Sequence, residues 1–359
     1  MKHILLNPGP VTLSARVRNA LLKPDLCHRE PEFSTLQQSI RERLLAVYGL
    51  DGADWAAILM TGSGTAAVEA MISSLVPRDG ALLVAENGVY GERIRTMAQR
   101  HGIDTVAVVA DWQGTLDVAG VDAALKVHPR ITHVAAVHHE TTTGRLNDLA
   151  PLAAVCRAHG VQMLIDTVSS FGAEDIGFAH WPIAACAATA NKCLHGVPGT
   201  SFAIARRGAL AAAAPKRTLY LDLEAYLAHQ DGGGTPFTQS VQTFYALDEA
   251  LAEFFDEGGW LARRARYRAR QAAIREKLSG LGVEPLLPAA ESSCVLQAFR
   301  LPTGVSYAAL HDGLKARGFV IYAGQGKLAA GIFRISAMGE IGDADLARLL
   351  DALGAELTR

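Results

Sequence analysis

The feature that most limits what this chain can fold into is a repeated unit: a short apolar run followed by a stretch of helical periodicity. Ala56-Ala-Ile-Leu-Met60 runs into Thr61-Gly-Ser-Gly-Thr65 and then a helical pattern over 66–76. Ala81-Leu-Leu-Val84 precedes a turn and a helix over 93–101. A strand over 132–138 is followed by a helix over 151–159, and Val161-Gln-Met-Leu-Ile165 is strand again, ending in Asp166. Runs at 184–189 and 200–205 flank Asn191 and Lys192. Such alternation is the signature of βαβ units, so the expected class is α/β, a mostly parallel sheet flanked by helices. After Ser240 a long helical stretch reaches about Leu281, broken near Gly258 and Gly259, and the pattern then becomes strand, helix, strand and a terminal helix. The expected organisation is a large domain over 11–250 and a smaller C-terminal α+β domain over 251–359, with residues 1–10 packing near the latter.

Composition narrows the function classes. Half of the 359 residues are hydrophobic, enough for a large buried core. The net charge is −2 with no run of Lys or Arg, whereas nucleic-acid binding needs a concentrated basic face. Only Ile4-Leu-Leu6 is apolar before Asn7, too short for a signal peptide, and no window approaches the roughly 18 apolar residues of a membrane helix. Five scattered cysteines without a CxxC pair argue against a disulfide framework or a metal site. The expectation is a reduced, cytoplasmic protein.

Three pieces that could carry chemistry stand at the ends of expected strands, where ligands of open α/β sheets sit. Gly62-Ser63-Gly64-Thr65 opens a helix, and free N–H groups at a helix N-terminus favour a phosphate. The same turn fits a loose dinucleotide fingerprint, or simply a tight strand-to-helix connection. Asp166 follows an apolar run and is costly to bury without a partner; a protonated pyridine nitrogen is one such partner, a helix cap another explanation. Lys192, one of eight lysines, follows Ala184-Ala-Cys-Ala-Ala-Thr-Ala190 and precedes Gly196-Val-Pro-Gly199. Desolvation there favours the nucleophilic neutral amine; the plain alternative is a solvated loop lysine. Together the three pieces fit a bound pyridoxal 5'-phosphate better than three coincidences.

With these pieces in place, the chain resembles the class V, fold-type I aminotransferases along nearly its whole length. The resemblance rests on Leu5-Leu-Asn-Pro-Gly-Pro10, Thr61-Gly-Ser-Gly-Thr65, Asn87-Gly-Val-Tyr-Gly91 and His139-Glu-Thr-Thr-Thr-Gly144. It continues in Asp166-Thr-Val-Ser-Ser-Phe-Gly172, Asn191-Lys-Cys-Leu-His-Gly-Val-Pro-Gly199, Gly318-Phe-Val-Ile-Tyr322 and Phe333-Arg334. It implies the fold-type I transferase fold and a pyridoxal 5'-phosphate cofactor held on Lys192 as a Schiff base, with Asp166 paired to the ring nitrogen. By the same resemblance Ser63, Gly64 and Thr65 hold the phosphate, Tyr90 stacks on the ring and Thr141 lies near its phenolic oxygen. Arg334 clamps the carboxylate of a 2-oxo acid, Thr238 reaches the neighbouring subunit's cofactor phosphate, and a homodimer follows. Arg29 faces substrate, or pairs with Glu30 or Glu32.

Within the family the stretches at 169–172 and 191–199 are most similar to the branch that passes the amino group of 2-aminoethylphosphonate to pyruvate. That implies phosphonoacetaldehyde and alanine as products; transamination of alanine or serine with glyoxylate, or of a related aminophosphonate, is the alternative. Three departures from the family pattern fall near the expected substrate site: 238–243, 322–327 and His195. A dinucleotide-dependent oxidoreductase would leave Asp166 and Lys192 unused. A cysteine desulfurase would want a His before the lysine, where Asn191 stands, and a mobile cysteine, whereas Cys294 leads into a strand. His138 and His139 lack metal-ligand spacing and read as strand-end histidines.

Overall fold

The apolar runs pair into one seven-stranded sheet in a computed structural model of the protein, which describes residues 3–212 and 216–358. In chain order its strands are β1 (Trp55–Gly62), β2 (Ala81–Glu86), β3 (Asp104–Val109), β4 (Ile131–Val137), β5 (Gln162–Asp166), β6 (Ile183–Thr189) and β7 (Gly199–Arg206). They lie side by side in the order β1-β7-β6-β5-β4-β2-β3. Strand β7 is antiparallel to its neighbours β1 and β6, and every other neighbouring pair is parallel.

The unbroken apolar runs have a simple cause. Side chains alternate between the faces of a strand. In β1, Trp55, Ala57 and Leu59 enter one core while Ala56, Ile58 and Met60 enter another on the opposite face. Both faces are covered, so both parities must be apolar. Helices Gly64–Leu75, Val89–Arg100 and Leu223–Asp231 supply Val68, Met71, Ile94, Met97 and Tyr226 to one core. Helices Pro31–Ala46, Val118–Val127, Ala150–Ala158 and Val241–Asp256 supply Phe33, Leu44, Val121, Leu152 and Phe244 to the other. Strand β6 is wholly buried and mostly alanine, which lets the helix Gly64–Leu75 pack close against it.

The C-terminal part forms its own three-stranded antiparallel sheet from Leu296–Arg300, Ile332–Ser336 and Tyr322–Ala323, covered by helices Tyr307–Ala316 and Asp343–Leu357. Phe299, Phe333, Leu314 and Leu353 fill its core, joined by Ile4 and Leu6 from the other end of the chain. Ile4–Leu5 pairs in parallel with Phe319–Val320. The long helical stretch is two helices, Val241–Asp256 and Gly259–Gly280, separated where Gly258 and Gly259 adopt φ of 93° and 71°. Only glycine enters that left-handed region freely. The boundary expected near residue 250 therefore falls inside a helix. Leu251 and Phe254 still pack into the larger core, and Trp260, just past the paired glycines, packs against its edge. No helix among the described residues is long and apolar enough to cross a membrane.

Two adjacent phenylalanines test that assignment, because Phe254 is 0% exposed and Phe255 is 38% exposed. Phe254→Ala is expected to cost about 3–5 kcal/mol of stability as a core truncation. Phe255→Ala is expected to cost well under half of that, and urea denaturation of the two variants checks the contrast.

Candidate active site

The carboxyl ends of β1, β5 and β6 open on the same side of the sheet, and the segments that follow them converge there. After β1, Ser63 is extended (φ −84°, ψ 166°) and precedes the helix Gly64–Leu75, yet its hydroxyl caps nothing. The helix's first N–H groups and the Ser63 hydroxyl thus remain for another acceptor. Gly64 is required by crowding, since a Cβ there would lie 2.8 Å from Cγ1 of Val168, two residues beyond Asp166. Thr65, Tyr90, Arg93, Asp166 and Val168 line one small pocket.

Asp166 ends β5 buried, and its carboxylate accepts from the Val168 N–H, 2.9 Å from Oδ1. Burial pushes its carboxyl up to about 6, against the pull of that N–H and of the Lys192 and Arg93 charges. Lys192 lies in the turn between β6 and β7, and its ammonium donates to the Pro8 carbonyl. Burial brings it down to about 8, helped by Arg334 and Arg93 and opposed by Asp166. The N-terminal segment crosses so close that a Cβ on Gly9 would sit 2.7 Å from Lys192 Cδ; Gly9 has φ of 115°. An acid near 6 and an amine near 8 in one crevice can hold and move protons at neutral pH.

Arg334 comes from the other sheet, on Ile332–Ser336, and is 1% exposed. Its Nε donates to the Ala323 carbonyl at 2.8 Å and its Nη1 to the Thr141 carbonyl at 2.7 Å. Nη2 is buried with no partner, and the Tyr322 ring lies 5.3 Å from the guanidinium carbon. Burying a guanidinium beside neutral carbonyls is costly unless an anion arrives. The Thr141 hydroxyl is also buried and unpartnered, as is His139 Nε2, whose ring bonds the Ser169 carbonyl through Nδ1 at 2.8 Å. His138 bonds Ser170 Oγ at 3.0 Å, and burial takes both imidazoles down to about 4, so they are neutral.

Glu140 went unremarked in the sequence. It is fully buried, and its carboxylate accepts from the backbone N–H of Tyr90 at 3.2 Å and from the Thr142 N–H and hydroxyl at 3.1 and 2.5 Å. Gly88 leaves it room, because a Cβ there would collide with the Glu140 carboxyl. Glu140 thereby fixes the start of the helix that presents Tyr90 and the loop that presents Thr141. The contact spans fifty residues, as from Tyr90 to Glu140, and no local spacing signals it.

Other expected residues lie elsewhere. Arg29 is exposed and makes no ion pair with Glu30 or Glu32 among the described residues. Thr238 is exposed too, although its neighbours Gln239 and Ser240 bond Thr61 Oγ1 at 3.0 and 2.9 Å. His195 does not open on the pocket: its Nε2 bonds the Tyr267 hydroxyl and accepts the Gly339 N–H at 2.9 Å. Of the three departures, 322–327 is the one that meets the site, through Tyr322 and Ala323 against Arg334. Cys294 is buried, its thiol pushed up by burial and by Glu174. A larger cleft exists at the opposite, amino ends of the strands, lined by Asp54, His133, Gln162 and Arg206, away from these groups.

The family model for aminotransferase class-V matches residues 18–334. A 2-aminoethylphosphonate–pyruvate transaminase of Aeromonas hydrophila is 38% identical over 98% of this chain and 94% of its own length. Among solved structures, an aspartate aminotransferase from Thermus thermophilus superposes with a TM-score of 0.90 at 27% identity, covering 99% of both chains. An alanine–glyoxylate aminotransferase from Nostoc gives 0.91 at 26% identity, covering 99% of this chain and 96% of that one.

Two pH dependences follow. Because burial lowers Lys192 to about 8, its labelling by an amine-reactive reagent is expected to reach half its maximum near pH 8, against ~10.4 for an ordinary lysine. Peptide mass spectrometry of protein dialysed free of small molecules reads it. Glu140 is raised from 4.5 to about 7, so the folded state keeps a proton that the unfolded chain releases. Its contribution is complete below pH 4.5 and declines as the pH climbs to 7. Glu140→Gln cannot ionise, so its urea midpoint relative to the parent is expected to improve between pH 5 and pH 8.

Proposed function

Because the chain belongs to the class-V aminotransferase family, we propose that it moves the amino group of 2-aminoethylphosphonate to pyruvate, giving phosphonoacetaldehyde and alanine with pyridoxal 5'-phosphate as cofactor. The observation that carries the reading is the buried Arg334 guanidinium. It faces no carboxylate within ion-pair distance among the described residues and keeps Nη2 free. Pyruvate brings a carboxylate and 2-aminoethylphosphonate a phosphonate, and a planar bidentate cation suits both in turn. Relatives 38–39% identical over nearly the whole chain carry the name of that transamination.

The residues fit the cofactor. The buried acid Asp166 and Thr65 of an uncapped helix N-terminus line one pocket, the desolvated Lys192 amine feels the charges of Asp166 and Arg334, and Thr141 and Arg334 carry buried polar atoms without a partner. When bound, pyridoxal phosphate supplies an aldehyde carbon that takes up amino groups and a ring that accepts the electrons of a broken C–H bond. Lys192 would hold that aldehyde and, as a free amine, would take the substrate proton and return it. Asp166, as a carboxylate, would pair with the ring nitrogen and favour its protonated form. The N–H groups at Gly64 and Thr65 and the hydroxyls of Ser63 and Thr65 bind the phosphate. Tyr90 covers a ring face, and the Thr141 hydroxyl serves the phenolic oxygen.

Thr238, exposed beside the segment that bonds Thr61, reaches the phosphate held by the partner of a homodimer. Arg29, exposed as well, completes the substrate entrance. Residues 11–250 form the cofactor-holding unit; 251–359, with residues 1–10 packed near it, form a smaller unit that brings Arg334. The protein acts in the cytoplasm.

A donor and acceptor panel tests the substrates: 2-aminoethylphosphonate, alanine and serine against pyruvate and glyoxylate. The expected best pair is 2-aminoethylphosphonate with pyruvate, by at least about tenfold in kcat/KM with ping-pong kinetics; a faster alanine–glyoxylate or serine–glyoxylate pair overturns it. Arg334→Ala is expected to lower kcat/KM for both half-reactions by about 100-fold or more, and undiminished pyruvate turnover would remove Arg334 from the clamp.

A further inference from the structure

One cation beside the pocket has no task in the scheme above. Arg93 sits three residues beyond Tyr90 on the helix Val89–Arg100, so both project from one side of it. Its guanidinium carbon lies 4.8 Å from the centre of the Tyr90 ring. Its Nη1 lies 3.5 Å from Thr65 Oγ1, at the outer edge of hydrogen-bond distance. It lines the same pocket as Thr65, Tyr90 and Asp166. Arg95, two residues on, is tied to Glu86 at 3.2 Å, whereas Arg93 has no carboxylate partner among the described residues. Its charge is felt inside the crevice, drawing Asp166 down and Lys192 down.

An arginine with no carboxylate partner among the described residues, held against an aromatic face beside an uncapped helix N-terminus, is arranged for an anion. The helix end supplies only about half a positive charge, whereas a phosphate monoester carries close to two negative charges at neutral pH. Ser63 and Thr65 bring dipoles but no charge. That leaves more than one negative charge without a counterpart, and Arg93, beside Thr65, is placed to supply a full positive charge. We propose that Arg93 anchors the cofactor's phosphate monoester, its guanidinium set beside Thr65 by the Tyr90 ring. This rests on the pyridoxal phosphate reading given above.

Comparing two forms of vitamin B6 tests it without recourse to turnover. Pyridoxal 5'-phosphate and pyridoxal differ only in the phosphate, and both are titrated by absorbance into the full-length protein after the resident cofactor is dialysed away. The parent protein is expected to bind the phosphorylated form far more tightly. Arg93→Gln is expected to weaken that form by about 10- to 100-fold, the worth of one charge-assisted hydrogen bond, while pyridoxal changes less than about twofold. Arg93→Lys, which keeps the charge but not the planar fork, is expected to fall between and serves alone should Arg93→Gln fail to fold. Equal weakening of both forms would overturn the assignment in favour of general packing. Unchanged affinities with a raised KM for 2-aminoethylphosphonate would overturn it in favour of a phosphonate contact. Failure of the parent to bind either form would instead sink the cofactor reading on which it rests.

Discussion

A carboxylate and an amine share one dry crevice without forming an ion pair, and much of the structure follows from that. Asp166 and Lys192 stand at the ends of adjacent strands, and for both the dominant influence is loss of water. Each sustains a charge that its surroundings only partly compensate, which costs several kcal/mol per ion on general grounds. A direct pair would relieve that strain but would lock the amine. Instead each feels the other at a distance, and their proton affinities drift toward neutrality from opposite sides. Two apolar cores, one on each face of the sheet, offset the cost.

The crevice is assembled from distant parts of the chain. The Lys192 turn is touched by the Pro8 carbonyl, by Arg263, which donates to the Cys193 carbonyl at 2.7 Å, and by Gly339 and Tyr267 through His195. His195 holds φ of 63°, an uncommon value for a residue with a side chain, and its ring ties that turn to Tyr267 and Gly339. On the opposite wall Glu140 orders Tyr90 and the Thr141 loop, and the Thr141 carbonyl receives Arg334. The two sheets therefore meet through polar contacts that converge on the pocket, so a change of spacing between them would be felt at the reacting groups.

How much of this the sequence revealed depends on burial. Six strands of the main sheet were legible because they are covered on both faces and read as apolar runs. The seventh, Asp104–Val109, is an edge strand whose side chains are half exposed, and it left no such run. Lys192, Asp166 and the Gly62–Thr65 turn stood out because each sits where a strand ends. Glu140 and Arg93 did not, because their roles come from contacts with Tyr90 and Thr65 that no local pattern encodes. Residue 250 lies within the helix Val241–Asp256, because Leu251 and Phe254 continue the helical pattern into the larger core and the paired glycines at 258 and 259 end it. His195 departs from the family pattern near the expected substrate site, but its left-handed backbone turns its ring toward Tyr267.

The central claim is that the amine of Lys192 is the point of attachment for a vitamin B6 aldehyde. Borohydride reduction of the purified protein, followed by digestion and peptide mass spectrometry, tests it most directly. The expected outcome is loss of the visible absorbance band and a phosphopyridoxyl mass on the peptide that contains Lys192, and on no other lysine. An unmodified Lys192 in active, reduced protein, or the label on a different lysine, would contradict it.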